Sequence, residues 1–177
     1  MFCTMNSLEF TFAKWLRWDR RCVIILTERG PVHWRPDVWG ILPSRLSCEI
    51  EVKRTLADFR ADADKPHIAN RNISNDKNYP AYFWYGVPAD LVERVKPLLP
   101  PWAGLITVTY STTVIVPAPK NPDAKKLSVK RCIKLTKMVA NQCLSVFSEN
   151  EDLRNRNQFL NSKVDEMERK QIENERD

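Results

Sequence analysis

The sequence has no apolar run approaching the roughly eighteen residues that cross a bilayer. Its N-terminus lacks a charged segment followed by a continuous apolar stretch. The expectation is a soluble, cytoplasmic chain with no membrane partner. Cysteine is scarce and poorly spaced. Cys3, Cys22, Cys48, Cys132 and Cys143 form an odd set without a Cys-x-x-Cys pair. That argues against a disulfide framework or a structural zinc site and predicts reduced, partly buried thiols. Histidine is scarcer still, and His33 and His67, the only two, are expected to be structural. There is no nucleophilic triad and no Gly-rich phosphate loop, so nothing supports a triad hydrolase or a nucleotide-binding protein.

What is present suffices for one domain and an appendage: 177 residues, 43% of them hydrophobic. The segments expected are a core over residues 1–119, a basic helix over 120–147 and a charged helix over 148–177. The net charge of +6 is unevenly spread. From Glu149 onward nine acidic and six basic residues give −3, and the rest carries 22 basic and 13 acidic residues, +9. A basic body with an acidic tail suits a polyanionic partner for the body.

The chain is organised around residues 36–53. Cys48-Glu49-Ile50-Glu51-Val52-Lys53 alternates, with Glu49, Glu51 and Lys53 on one face and Ile50 and Val52 on the other. Period two predicts a half-buried strand. Carboxylates in a row are costly unless neutralised, and a divalent cation shared with Asp37 would neutralise them. Asp37 precedes Glu51 by fourteen residues, the length a hairpin needs to bring two strand ends together. Asp37 and Glu51, with the Val52 carbonyl as a third oxygen, are the expected ligands for Mg²⁺ or Mn²⁺. Lys53 would point at the same place, beside a phosphate or an attacking water. A metal and a lysine so placed can cleave a phosphodiester.

Pro36-Asp37 followed by Glu51-Val52-Lys53 resembles the motif that names the PD-(D/E)XK nucleases. The next run, Thr55-Leu56-Ala57-Asp58-Phe59-Arg60-Ala61-Asp62, resembles the MmcB-like DNA repair proteins, which carry a similar E-I/V-K-S-S-x-x-D-F-R-A-D. So do Tyr82-Phe83-Trp84-Tyr85-Gly86-Val87-Pro88 and the later Gly104-Leu105-Ile106. The resemblance covers about residues 30–116. It departs at Arg54-Thr55, where the family has serines, in an extra polar segment over 70–78, and in the long C-terminal tail. It implies a restriction-endonuclease-like α/β fold, a mixed sheet flanked by helices. It also implies catalytic Asp37, Glu51 and Lys53, and a role in DNA repair. In such folds the first helix sometimes lends an acid to the metal; Glu9 is the only acid there, and its alternative is a solvated first-turn carboxylate. Lys65 follows the Asp-Phe-Arg-Ala-Asp run as family members have a lysine, which makes it the candidate phosphate contact, against a plain surface charge. Glu49 either joins the metal site or pairs with Arg or Lys at the strand's outer end; the second is preferred.

In chain order, residues 7–18 read as a helix capped by Ser7, with Leu8, Phe12, Trp15 and Leu16 on one face. Its tryptophans are expected in the core rather than as base-stacking platforms. Residues 22–26 read as a buried strand, 28–31 as a turn, 37–42 and 46–53 as strands joined at Pro43-Ser44-Arg45. Thr55 should cap a helix over 55–63, with Asp58 at its third position. Residues 70–78 read as a surface loop, a candidate substrate contact. Then come a strand over 80–87, a helix over 89–96 with Leu91, Val92 and Val95 inward, a strand over 104–108 and an edge strand over 110–116. A linker over 117–122 leads to a helix from Ser128, with Val129, Cys132, Ile133, Leu135 and Val139 on its buried side. Lys125, Lys126, Lys130, Arg131 and Lys134 make its surface either a phosphate rail beside the site or a solvated face.

Further on, Val139, Val146, Leu153, Leu160 and Met167 recur every seven residues. Their companions are Cys143, Asn150, Asn157, Val164 and Gln171. This is a heptad seam with polar core positions. It belongs to a helix that forms a homodimer or binds a partner protein, or to a charged helix that frays. The leading expectation is a metal-dependent DNA nuclease, with RNA left open as substrate. The alternatives are a non-catalytic nucleic-acid-binding module and an assembly protein, either retaining the nuclease fold.

Overall fold

A computed structural model describes residues 7–27, 34–62, 64–65, 68 and 79–174, with backbone alone for 7 and 165–174. Cys3, the turn over 28–31, His33, His67 and the loop over 70–78 lie outside the described residues. Helix α1 spans Ser7–Trp18. Phe12, Trp15 and Leu16 are buried and Leu8 packs beside them, because positions four and seven or eight apart share a helix face. Trp18 is the exception to the core expectation, 69% exposed. It falls outside that stripe, and the Arg17 guanidinium lies over its ring. Beyond α1, Arg21 takes the left-handed conformation at φ 57° and the chain turns into the sheet.

The sheet holds β1 (Ile24–Thr27), β2 (Val38–Ile41), β3 (Ser47–Val52), β4 (Tyr82–Pro88), β5 (Gly104–Val108) and β6 (Thr112–Val116), ordered as in the sequence. The β1–β2, β2–β3 and β5–β6 pairs are antiparallel; β3–β4 and β4–β5 are parallel. Each parallel pair requires a crossover. Helix α2 (Leu56–Asp62) lies in the first. The second holds α3 (Val92–Val95) between two short 3₁₀ turns, Ala89–Leu91 and Lys96–Leu98, where one continuous helix was expected. Pro97 supplies no N–H to extend it. The inward residues Leu91, Val92 and Val95 are buried as expected. The fold is thus α/β with a mixed six-stranded sheet.

Strand alternation divides the core in two. Val38, Cys48, Ile50, Val52, Trp84 and Ile106 face α1, and Phe83, Tyr85, Val87 and Leu105 face Phe59, Leu91 and Val95. Gly86 makes the α1 side possible: a Cβ there would stand 2.4 Å from the Phe12 ring. The half-buried reading of β3 is corrected, because all six of its residues are buried. The charged side of β3 is roofed by α2 and flanked by the aromatic residues of β4, so its carboxylates do not face water.

Residues 117–128 are a tethered strap rather than a free linker. Asn121 donates its N–H to Ala81 O at 2.8 Å, and Leu127 donates to Arg45 O at 2.9 Å. Arg45, left-handed at φ 66°, returns a guanidinium bond to Leu127 O at 3.2 Å. Helix α4, Val129–Asn174, then begins under a Ser128 cap, whose Oγ accepts the Arg131 N–H at 3.2 Å. Its expected apolar side is half right. Leu135 is 3% exposed, but Val129 and Ile133 are 58% and 53% exposed. The reciprocal Arg45–Leu127 bonds fix the approach of the first turn and turn that row outward. Residues 1–136 and 137–177 form two compact units, and the described part of the second is the remainder of α4. The described thiols, Cys22, Cys48, Cys132 and Cys143, are free, as expected. Among the described residues no helix is long and apolar enough to cross a membrane.

Candidate active site

The β2–β3 ladder pairs Val38 with Ile50 and Trp39 with Glu49. Carried one residue further, that register sets Asp37 opposite Glu51; two residues further, Pro36 opposite Val52. Proline has no N–H to donate to the Val52 carbonyl, and the Val52 N–H is accepted by the Asp37 carboxylate, at 2.7 Å from Oδ2. The Pro-Asp pair therefore ends the ladder and replaces its last rung with a carboxylate.

Past Val52, Lys53 is 2% exposed and its ammonium is doubly engaged. Nζ lies 2.8 Å from Glu51 Oε1 and 2.7 Å from Asp62 Oδ1. Lys65 repeats the pattern from the far end of α2, at 3.1 Å from Glu51 Oε1 and 2.6 Å from Asp62 Oδ1. The Tyr85 hydroxyl, from β4, donates to Asp62 Oδ2 at 3.0 Å. Two carboxylates and two ammonium groups thus form a closed square, with both lysines sharing the same oxygen on each acid. Thr55 sets the helix that carries Asp62: its Oγ1 accepts the Asp58 N–H at 3.0 Å, as expected for the cap.

Asp37, which faces Glu51 across the hairpin, behaves differently from the roofed Asp62. Asp37 is pushed up to about 6, first by burial and then by the Glu51 charge, against the Val52 N–H and Lys53. Glu9 adds to the rise, so α1 brings its acid near. Burial would also push Asp62 up, but bonding and attraction from Lys53 and Lys65 outweigh it and hold Asp62 below the usual carboxylate range. Lys65 is raised, despite its partial burial, by Asp62 and Glu51.

Asp37, Glu51, Val52 and Lys53 therefore meet at the end of β3, and Lys65 joins them. Glu9 is held by Arg54, whose Nη2 reaches both of its carboxylate oxygens at 2.9 and 2.8 Å. Glu49, wholly buried, accepts the Trp34 Nε1–H at 2.7 Å. Lys125, Lys126, Lys130, Arg131 and Lys134 are all exposed, yet their segment is tied to Arg45 and to Ala81. Those anchors precede β3 and β4, whereas the acidic cluster follows β3. A six-residue strand, roughly 20 Å, separates the two ends, so the basic segment does not start beside the cluster. Sequence reasoning missed Asp62 and Tyr85 as site residues. One signal was available for Asp62. It stands three residues after Phe59, on the same helix face, and an acid on an apolar face calls for a buried cation.

The donors suit a hard cation in kind. Among the described residues, Asp37 Oδ1 and Glu51 Oε2 accept no protein hydrogen bond, and the Val52 carbonyl stands opposite a proline. All three are oxygens, and Mg²⁺ is commonly held by one or two carboxylates with waters completing its shell. Asp37 is raised by burial first and by the Glu51 charge second, and a cation held there would offset both. No cage of three or more His, Cys, Asp or Glu side chains occurs among the described residues.

No family model and no curated protein matches this chain. A solved structure, a protein of unknown function from Silicibacter pomeroyi, matches in fold with a TM-score of 0.56 at 23% identity, over 82% of this chain and 90% of that one. The likeness is one of fold.

Proposed function

We propose that this protein is a metal-dependent nuclease of the PD-(D/E)XK type, with a restriction-endonuclease-like core, that hydrolyses DNA phosphodiester bonds in repair or processing. The observation that carries the reading is the convergence of Asp37, Glu51 and Lys53 at one end of β3, with Asp37 accepting the Val52 N–H. Asp37, Glu51 and the Val52 carbonyl would hold Mg²⁺ or Mn²⁺. When bound, such a cation lowers the pKa of a coordinated water and offsets charge on phosphate oxygens. Lys53 supplies a fixed ammonium beside Glu51, placed to orient the nucleophile or stabilise charge on the phosphate. Asp62 and Tyr85 position that lysine, and Lys65, with 45% of its side chain exposed, would reach a substrate phosphate by exchanging its bonds to Glu51 and Asp62.

One observation favours a second reading, a nucleic-acid-binding module or assembly protein without turnover. Lys53 and Lys65 both neutralise Glu51 Oε1, which gives that acid resident counter-ions. One experiment separates the two readings. Labelled single-stranded, duplex and branched DNA is incubated with Mg²⁺ or Mn²⁺ and wild type, Asp37→Ala or Lys53→Ala protein, with calorimetric titration of Mn²⁺ alongside. The nuclease reading expects cutting by wild type only and Mn²⁺ binding weakened in Asp37→Ala. Salt-sensitive DNA binding without cutting or Mn²⁺ uptake would replace it with the second.

A further inference from the structure

The second unit, residues 137–177, is helical through Asn174 and exposes a regular apolar row. Val146, Leu153 and Leu160 are 47%, 56% and 51% exposed, and Val164 is 46% exposed. Helices of this kind owe most of their stability to packing rather than to propensity. Leu144 and Phe159 are exposed too, but their neighbours seven residues along are Glu151 and Glu166, so they form no row. With Val139, Val146, Leu153 and Leu160 as d positions, the a positions are Cys143, Asn150, Asn157 and Val164.

We propose that this helix pairs with a second copy of itself in a parallel, in-register, two-stranded coiled coil. Two features choose that occupant. In a parallel in-register pair each a residue faces its own copy, so Asn150 meets Asn150 and Asn157 meets Asn157, amide to amide. In an antiparallel pair each a position faces a d position, and both asparagines would be set against Val or Leu. Each amide left unsatisfied in that way would carry its full desolvation penalty. A buried asparagine at a is also what selects two strands and one register. The flanking charges agree. In a parallel dimer a g residue meets the e residue five places on in the partner. Glu149 would meet Arg154, Arg156 would meet Asn161, and Gln142 would meet Phe147, so no like charges face each other. Pairing from Val139 to Val164 runs roughly 40 Å.

The seam carries its own reporter. Cys143 is an exposed free thiol at an a position, so in this arrangement two copies face each other within disulfide reach. Oxidised glutathione accepts two electrons and two protons from the two thiols, forming the interchain disulfide and two reduced glutathiones. Full-length protein at micromolar concentration is examined by light scattering and, after this oxidation, by non-reducing electrophoresis. The expected result is a dimeric mass and a cross-linked dimer that is lost in Cys143→Ser. In Leu153→Lys/Leu160→Lys the mass should halve and the cross-link disappear. Both substitutions fall on exposed positions, and circular dichroism reports that the rest of the chain stays folded. A monomeric wild type overturns the proposal. So does a dimer whose Cys143 does not cross-link, or one that survives the double lysine substitution.

Discussion

Charge is used in opposite ways at the end of β3 and along the strap and first turns of α4. At the strand end Glu51, Lys53 and Asp62 are at most 5% exposed, and Glu51 Oε1, both oxygens of Asp62 and the Lys53 ammonium have named partners at fixed distances. Along residues 120–137 lysines and arginines crowd one stretch of sequence, yet they stand in water. A buried charge stripped of its partner costs several kcal/mol; an exposed one contributes little to stability and acts through long-range, salt-screened attraction. The first region can hold a group in place, and the second can act only through long-range attraction.

The sharpest way to break this contrast is to remove the buried acid. Asp62→Ala leaves Lys53 without one of its two counter-ions inside the core, and an expected loss of about 3–5 kcal/mol should appear in urea unfolding. Lys53→Ala should also destabilise, because Asp62 then keeps only Lys65 and Tyr85. Any cleavage assay of this variant therefore has to be read at a temperature where circular dichroism shows it folded.

Asp37 should respond in the opposite sense. Its carboxyl stands near 6 when folded, against an ordinary aspartate value of 3.8. Between those values the folded state binds more protons than the unfolded one, so stability contributed by this group falls as pH rises through the window. Asp37→Asn keeps an oxygen for the Val52 N–H and removes the penalty. It should gain about 1–2 kcal/mol at pH 7, after allowing for partial exposure, and the gain should vanish near pH 4 in thermal melts. If the nuclease reading holds, metal binding and cleavage would need the ionised form, and in wild type both should rise as pH passes about 6, measured by Mn²⁺ titration and by initial rates.

The smallest effects belong to the exposed region. Lys125→Ala, Lys126→Ala or Lys130→Ala should each shift stability by less than about 0.5 kcal/mol. If these residues touch phosphates, each should lower the slope of log affinity against log salt by about 1, whatever the DNA sequence. An unchanged slope would make that face merely solvated.

Much of this was legible in the sequence. The period of two in residues 48–53 announced a strand with Glu49, Glu51 and Lys53 on one side. The hairpin spacing brought Asp37 to Glu51, and the Thr55 cap was readable from its own side chain. The roofing of that charged side was not legible. It depends on how α2 lies across β3 and β4, which rests on Phe59 meeting Tyr85 at 4.8 Å between ring centres, residues 26 places apart. Asp62 joined the site for the same reason. The exposed Val129 and Ile133 depend on a tether between residues 45 and 127 that no periodicity reveals. A basic run close to the acids in sequence reading starts, in space, at the other end of the strand.

Local pattern alone determined the elements, the alternating acids of β3, the segregation of positive and negative charge and the heptad register of the tail. Backbone geometry imposes those periods on any chain, so a single stretch suffices to read them. Tertiary structure decided which charges lose their water, which of them share an oxygen, and why Asp37 is raised while Asp62 is lowered. Desolvation and Coulomb attraction depend on distance through space, and residues 37, 51, 53, 62, 65 and 85 become neighbours only when strands pair and a helix closes over them.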